Sequence, residues 1–170
     1  IENVENITFK NMTVTNTGEN GRGIDMENAK VELFDVALKG CDSIAFTIPD
    51  SSSETTVVAT RCEFANSSNG AVVNGSLTSA TFNNCVFHDN SSDGIFVGGT
   101  TIHFHGEATA IHSNGVGIYA YNSGKVLIHL PSHHNTSYNN GDEDRKTYDT
   151  ATIINVWKTK NGDEDEDQLL

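Results

Sequence analysis

Apolar residues recur along the chain in pairs whose two members are separated by one residue, and equivalent pairs return about every 24 residues. Such a pair is typical of a short strand with one buried face, because successive side chains of a strand point to opposite sides. The first pair of each repeat is Ile7–Phe9, Val31–Leu33, Val57–Ala59, Ala80–Phe82, Ile102–Phe104 and Val126–Ile128. A second pair follows at Met12–Val14, Val36–Leu38, Cys62–Phe64 and Cys85–Phe87, and a third at Ile24–Met26, Ile44–Phe46, Ala71–Val73, Ile95–Val97 and Ile118–Ala120.

Three short strands per repeat predict an all-β fold, a right-handed parallel β-helix solenoid of about 6–7 rungs. Each rung is too small to enclose a core alone, so its apolar side chains must be buried against those of the neighbouring rungs. No segment shows the sustained apolar spacing of a helix.

The regular pattern ends near Pro131, since residues 132–150 are polar and aromatic without a period. We predict a single β-helix domain over residues 1–157 with a long loop at 132–150, followed by an acidic, disordered tail at 158–170. The loop either carries function or folds over the last rung, where Trp157 would shield an open strand edge. The first rung has no cap in this sequence, so either preceding residues or another chain should cover it.

The chain is acidic, with a formal net charge of −13 and only 10 lysines and arginines. This composition argues against a nucleic-acid partner, which needs basic residues to neutralise phosphates. No apolar run is long enough for membrane insertion. The first residues lack a signal-peptide pattern. The compartment is left open, with a secreted or organellar location favoured over a nuclear one.

The three cysteines do not form an evident disulfide framework, because an odd number leaves one thiol over. Cys62 and Cys85 occupy the same register position one rung apart. We therefore predict buried free thiols rather than a disulfide.

One repeat carries a resemblance to a known group of proteins. The segment Asn84-Cys85-Val86-Phe87, with Asn90 to Val97, resembles the rungs of the pectin-lyase-like superfamily. The block from Leu130 to Gly141 also resembles uncharacterised β-helix proteins of microalgae. The resemblance implies the fold but not the activity, since the superfamily includes lyases, hydrolases, epimerases, phage tailspikes and modules without catalysis.

Asp93 is the one catalytic candidate that the resemblance supplies. Ser91-Ser92-Asp93-Gly94 is similar to the Asn-Thr-Asp-Gly motif of polygalacturonases, in which the aspartate is catalytic. The next rung has Ser113-Asn114-Gly115 where that family places further aspartates, and glycoside hydrolysis usually needs two carboxylates. We therefore favour a turn-capping role for Asp93 over catalysis, and we predict no cofactor.

Three histidines form a candidate metal site. His105 and His129 fall in one outward column, and His103 lies two residues from His105 on the same face. Stacked imidazoles could bind a transition metal, but no acid or cysteine clearly completes the set, so we favour a polar ladder. His133-His134 with residues 142–144 is a second possible metal or pH-sensitive cluster.

Aromatic residues gather at outward positions of the third strand. Phe96, Tyr119 and Tyr121 should share one exterior face, with Asn74 and Asn114 as polar ligand-binding candidates. Exposed aromatic patches mark interfaces, and flat rings beside polar groups suit sugars. We predict a non-catalytic module that binds a polysaccharide or a protein on this face, unless the 132–150 loop covers it. A polysaccharide-active enzyme and a structural subunit of a larger assembly are the alternatives.

Overall fold

The computed structural model describes residues 1–129, 136–158 and 164–168, which form strands without a helix. Within these ranges no helix is long and apolar enough to cross a membrane. The strands are β1(Ile7–Val14), β2(Ile24–Asp25), β3(Lys30–Lys39), β4(Ile44–Ile48), β5(Thr55–Thr60), β6(Glu63–Ala65), β7(Asn69–Asn74), β8(Thr78–Asn83), β9(Val86–His88), β10(Asp93–Gly98), β11(Thr101–His105), β12(Ala110–His112), β13(Val116–Tyr121), β14(Lys125–His129), β15(Ser137–Tyr138), β16(Glu143–Tyr148), β17(Thr152–Lys158) and β18(Glu164–Gln168).

The strands stack in parallel as a β-solenoid of about six turns, so the predicted fold class is confirmed. One sheet has the order β16-β13-β10-β7-β4-β2. The other has two arms that meet at β3, one running through β5, β8, β11, β14 and β17 and the other through β6, β9, β12 and β15. Each turn of the solenoid therefore contributes three short strands, two of which are merged in β1 and in β3.

The columns predicted from the apolar pairs are present for the first strand of each rung. Ile7 pairs with Val31, Val31 with Val57, and Val57 with Ala80. Further along, Ile102 lies between Ala80 and Val126. Equal columns form because every rung buries the same alternate positions.

The third strand of the second rung differs from the prediction by two residues. Phe46, rather than Ile44, pairs with both Ile24 and Ala71. The inward pair is therefore Phe46 and Ile48, both of which are fully buried. A shift of two residues keeps the same face of the strand inward, so the apolar alternation alone could not distinguish the two registers.

The core is a column of phenylalanine rings that runs along the solenoid axis. Phe64 stacks on Phe87 with ring centroids 4.6 Å apart and meets the edges of Phe46 and Phe82 at 6.0 and 5.7 Å. Phe104 continues the column, 5.5 Å from Phe82. All five side chains are fully buried, so the apolar side chains of each turn pack against those of the next.

The cysteines are free and buried, as predicted. The backbone amide of Cys62 donates to Cys85 Sγ at 3.5 Å, which places the two side chains in neighbouring rungs of one column. Burial raises the pKa of Cys85, so its thiol stays neutral.

The sharp bend after the first strand places one residue of each rung in the left-handed region. Asn11, Asp35, Arg61 and Asn84 all have φ between 52° and 54°. Arg61 is an unusual residue there. Its guanidinium forms two hydrogen bonds with Asp35 of the preceding rung, at 2.8 and 2.7 Å, and lies 4.1 Å from the Phe34 ring centroid. This ion pair therefore links two neighbouring rungs at the bend.

The prediction of a long loop at 132–150 is wrong for the described part of that segment. β15 and β16 lie there and continue the stacks of β12 and β13. The apolar alternation is missing because β16 buries no apolar side chain: Arg145 and Thr147 follow Ile118 and Ala120 in register. Arg145 Nη1 donates to Asn155 Oδ1 at 3.4 Å, so polar side chains close this end of the core.

The disordered tail predicted over 158–170 contains strand β18, which pairs antiparallel with β17. Without β18, the outer edge of β17 would present unpaired backbone groups, and pairing with β18 satisfies them. The acidic composition of the tail did not indicate this strand. At the other end of the solenoid, the outer edge of β1 is not paired with a strand in the part of the chain that the structure describes. Contact of that rung with another chain stays a prediction.

Candidate functional site

Four aromatic side chains line the outer surface of the smaller sheet across three successive rungs. Phe96 on β10 is in register with Tyr119 on β13, and Tyr121 on β13 is in register with Tyr148 on β16. We call these four residues the aromatic face. The predicted gathering of Phe96, Tyr119 and Tyr121 is therefore present, and Tyr148 extends it by one rung.

The rings of the aromatic face contact one another as a continuous series. Phe96 meets Tyr119 edge to face at 5.3 Å, and it lies 6.3 Å from Tyr121 at an interplanar angle of 29°. Tyr121 and Tyr148 are nearly parallel, with centroids 5.7 Å apart. Tyr121 is 38% and Tyr148 63% exposed. Offset stacking of this kind leaves part of each ring and its hydroxyl edge open to solvent.

Gly98 makes room for the series on the first rung of the face, which also carries Phe96. It lies between Asn74 and Tyr121 in register. A Cβ atom at this position would overlap Asn74 Oδ1 and touch the edge of the Phe96 ring. Because Gly98 has no side chain, the Phe96 ring can approach the backbone and reach Tyr121. Asn74 thus borders the aromatic face, as predicted.

The 132–150 segment, which was the alternative cover for this face, lies beside it in its described part. β16 pairs with β13 in the plane of the sheet, which places Lys146 next to Tyr119 and Tyr148 next to Tyr121. The sequence did not reveal Tyr148 as a site residue because β16 has no apolar alternation from which its register could be assigned. Its distance of 27 residues from Tyr121, close to the repeat length, was the available signal.

Charged groups border one side of the aromatic face. Lys146 Nζ lies 5.2 Å from the centroid of the Tyr119 ring, a cation–π contact, and 3.9 Å from Glu143 Oε1. These groups add hydrogen-bond donors and acceptors beside the rings. A ligand with both apolar and polar surface would match this combination.

Asp93, the catalytic candidate, is 9% exposed and lies at the start of β10. Asn69 Nδ2 donates a hydrogen bond to its Oδ2 at 3.1 Å. Burial raises the pKa of Asp93, while the hydrogen bond from Asn69 and the charge of Lys146 act in the opposite direction. The next residue in its column is Val116, and Glu143 follows only one rung later. Its column therefore places an apolar side chain, and not a second carboxylate, in the adjacent rung.

The raised pKa of Asp93 gives a testable pH dependence of stability. Because the folded state binds this proton more tightly than the unfolded state, its contribution is full below the unfolded pKa and is lost as the pH rises through the folded pKa. Asp93→Asn should therefore gain stability relative to the wild type between pH 4 and pH 7. Urea unfolding at several pH values measures this difference. The exposed Asp142→Asn is the matched control for the loss of one carboxylate, and a flat difference for Asp93→Asn would contradict the assignment.

Asn114 is not on the aromatic face, so its prediction as a ligand-binding residue is wrong. It is 3% exposed and belongs to an asparagine ladder with Asn90 and Asn140 in neighbouring rungs. Its Nδ2 donates to the backbone carbonyls of Phe87 and His112, at 3.1 and 3.0 Å. The ladder donates hydrogen bonds to backbone carbonyl groups at the bend before the third strand, which would otherwise be buried without a partner. The spacing of the three asparagines, 24 and 26 residues, was its signal in the sequence.

His103, His105 and His129 come together on the outer surface of the larger sheet, away from the aromatic face. The predicted column of His105 and His129 agrees with the register of β11 and β14, in which Phe104 pairs with Ile128. His133 and His134, the core of the second predicted cluster, lie outside the described residues.

No protein-family model, curated protein or solved structure matches this chain. Its class is that of the parallel β-solenoids, on the evidence of the strand stacks. Any relation to the pectin-lyase-like superfamily stays a prediction from the motifs of single rungs.

Proposed function

We propose that the protein is a binding module without catalytic machinery of its own, and that it takes a neutral polysaccharide chain on the aromatic face. The observation that carries the proposal is the series of ring contacts across three rungs, in which Tyr121 and Tyr148 are exposed and Phe96 and Tyr119 are half-buried. An extended strip of rings matches an extended polymer, whose sugar units present apolar C–H surface as well as hydroxyl groups.

The size of the aromatic face favours a glycan over a protein partner. Its first and last rungs are two strand spacings apart, roughly 10 Å, so the rings cover on the order of 300 Å². A stable protein interface buries about 800 Å² on each partner. The rings alone are therefore too small for a stable protein complex but large enough for two or three sugar units.

The charge of the molecule favours a neutral glycan over an acidic one. The chain carries a net charge of −13, and Glu143 lies 3.9 Å from Lys146 at the border of the aromatic face. A uronate polymer would be repelled by this field, which Lys146 beside the rings offsets only in part. Binding of acidic glycans should accordingly be weaker, most clearly at low ionic strength.

Removing two rings should abolish most of the binding. We expect the double variant Tyr121→Ala, Tyr148→Ala to lose about tenfold in affinity per ring, because each substitution removes apolar contact worth about 1.4 kcal/mol. A glycan array would identify a ligand, and isothermal titration would compare the proteins. Both side chains are partly exposed, so the fold should be retained, which circular dichroism can verify.

Tyr138→Ala is the matched control for this experiment. Tyr138 also stacks on a neighbouring ring, His112 at 5.4 Å, but it lies on β15 of the other sheet. Its removal should leave glycan binding unchanged. Equal binding by the wild type and the folded double variant would contradict the proposal. Cleavage of the bound polymer that is lost in Asp93→Asn would instead support the enzyme alternative, for which the raised pKa of Asp93 is the favourable observation.

A further inference from the structure

Three imidazoles converge on the outer surface of the larger sheet, on two adjacent rungs. In β11, Ile102 and Phe104 point into the core, so His103 and His105 point outward. The pairing of Phe104 with Ile128 places His129, at the end of β14, beside His105. The strand alternation and the rung register together therefore bring the three rings to one place.

The distances within this cluster are short. His103 Nδ1 lies 2.9 Å from His129 Nε2, and the rings of His105 and His129 stack with centroids 4.1 Å apart. One nitrogen from each of the three residues lies within 4.8 Å of the other two. At 2.9 Å one of the two ring nitrogens must donate a hydrogen and the other accept it. The accepting nitrogen therefore carries a lone pair, which can bind a metal ion when the hydrogen bond is replaced.

The surroundings exclude water on one side of the cluster. In register with His103 is Leu127, and in register with His129 is Val156. These side chains are only 9% and 3% exposed and pack with Ile154 in a second apolar cluster outside the core. His129 itself is 9% exposed. An apolar shell of this kind limits the access of solvent and strengthens the bonds of a bound ion.

We propose that His103, His105 and His129 form a binding site for one divalent transition metal ion, with Zn²⁺ and Cu²⁺ as the ions of best fit. Bonds of about 2.0–2.1 Å from Zn²⁺ to imidazole place the ligand nitrogens of a tetrahedral ion roughly 3.3–3.4 Å apart. The nitrogens of the cluster, which lie within 4.8 Å of one another, would reach this spacing when the side chains rotate toward the ion. The ion replaces the His103–His129 hydrogen bond and is held by three neutral nitrogens, and the overall negative charge of the protein favours a cation.

Three histidine ligands leave the fourth position of a tetrahedral ion open. This coordination is typical of zinc sites that exchange a ligand, whereas closed structural sites use four protein ligands. The ion would therefore accept water or a small donor ligand at the surface of the solenoid. The site lies on a different sheet from the aromatic face and does not depend on the proposed glycan binding.

Direct titration tests the site on the untagged full chain after dialysis against a chelator. We expect calorimetry with ZnCl₂ and CuCl₂ to give one ion per chain, and CoCl₂ to give the visible absorption of a tetrahedral cobalt ion. His105→Gln and His129→Gln should each weaken binding at least tenfold. His112→Gln is the matched control, since His112 stacks on His88 and Tyr138 on the other arm of the sheet, and it should bind as the wild type does.

Histidine NMR of the wild type keeps the test independent of how the variants fold. Addition of a small amount of Cu²⁺ should broaden the imidazole signals of His103, His105 and His129 and leave those of His88 and His112 sharp. Binding that persists in the double variant His105→Gln, His129→Gln, or broadening confined to His88 and His112, would overturn the assignment. Absence of any bound ion at micromolar concentrations would do so as well, and would leave the three rings as a structural stack.

Discussion

Replacing Phe64 with alanine should lower the free energy of unfolding by about 3–5 kcal/mol, the range found for large aromatic residues in close-packed cores. Phe64 is fully buried and contacts Phe46 of the preceding rung and Phe82 and Phe87 of the following rung. The loss has two parts, the apolar surface that no longer leaves water and the cavity that remains. The backbone cannot close this cavity, because the stacked strands are held at a fixed spacing by their hydrogen bonds.

Denaturant unfolding measures the effect, with Leu77→Ala as the control. Leu77 is 50% exposed, so its truncation should change the stability by less than about 0.5 kcal/mol. Because solenoids are stabilised by contacts between neighbouring turns, the Phe64→Ala protein should also unfold less cooperatively, with a lower m-value. A loss below about 1 kcal/mol would contradict the continuous aromatic column.

Replacing Asn114 with aspartate should destabilise the fold by at least about 3 kcal/mol at pH 7, although the two side chains have the same shape. The Asn114 amide donates to the carbonyls of Phe87 and His112 and to Asn140 Oδ1. A carboxylate would face these three acceptor oxygens with no hydrogen to offer. Burial at 3% exposure adds the cost of removing a charge from water.

The Asn114→Asp protein should recover part of its stability in acid. Burial and the surrounding acceptors disfavour the ionised form, so the pKa of the new carboxyl in the folded state rises above its unfolded value of about 3.9. The folded state then binds more protons than the unfolded state, and the cost grows as the pH rises through the folded pKa. Unfolding at pH 4 and pH 7 measures it, with the half-buried Asn74→Asp as control. A cost that does not change with pH would show that the introduced carboxylate is solvated.

The phenylalanine column and the asparagine ladder contribute differently to the stacking of the rungs. The phenylalanine column supplies apolar burial without direction, so by itself it would tolerate a rung that slides along its neighbour. The asparagine ladder is directional, because the amides of Asn90 and Asn114 each meet a carbonyl of the rung before and an asparagine oxygen of the rung after. We infer that the Phe64 variant tests mainly the size of the free energy of unfolding, while the Asn114 variant tests how specifically the rungs stack in one register.

The register of β4 could not be predicted from the apolar pattern, although the fold could. Both candidate registers bury the same face of β4, and the choice depends on which pair fills the space between Ile24 and Ala71. Ala45 lies in the column of Gly23, where the Cβ that glycine lacks would overlap the carbonyl of Ala45. This close approach of two backbones is a property of the packed solenoid and is invisible in one rung alone.

The sequence alone determined the all-β class, the three strands of each rung and the outward columns of Phe96, Tyr119 and the histidines. These features repeat with every turn, so a local alternation of apolar and polar residues is enough to reveal them. Only the tertiary structure decided that residues 143–148 add a polar rung beside the aromatic face, that Asn114 is inside, and that three imidazoles meet. The physical reason is that these outcomes depend on how neighbouring rungs fill space and satisfy backbone groups, which residues distant in sequence settle together.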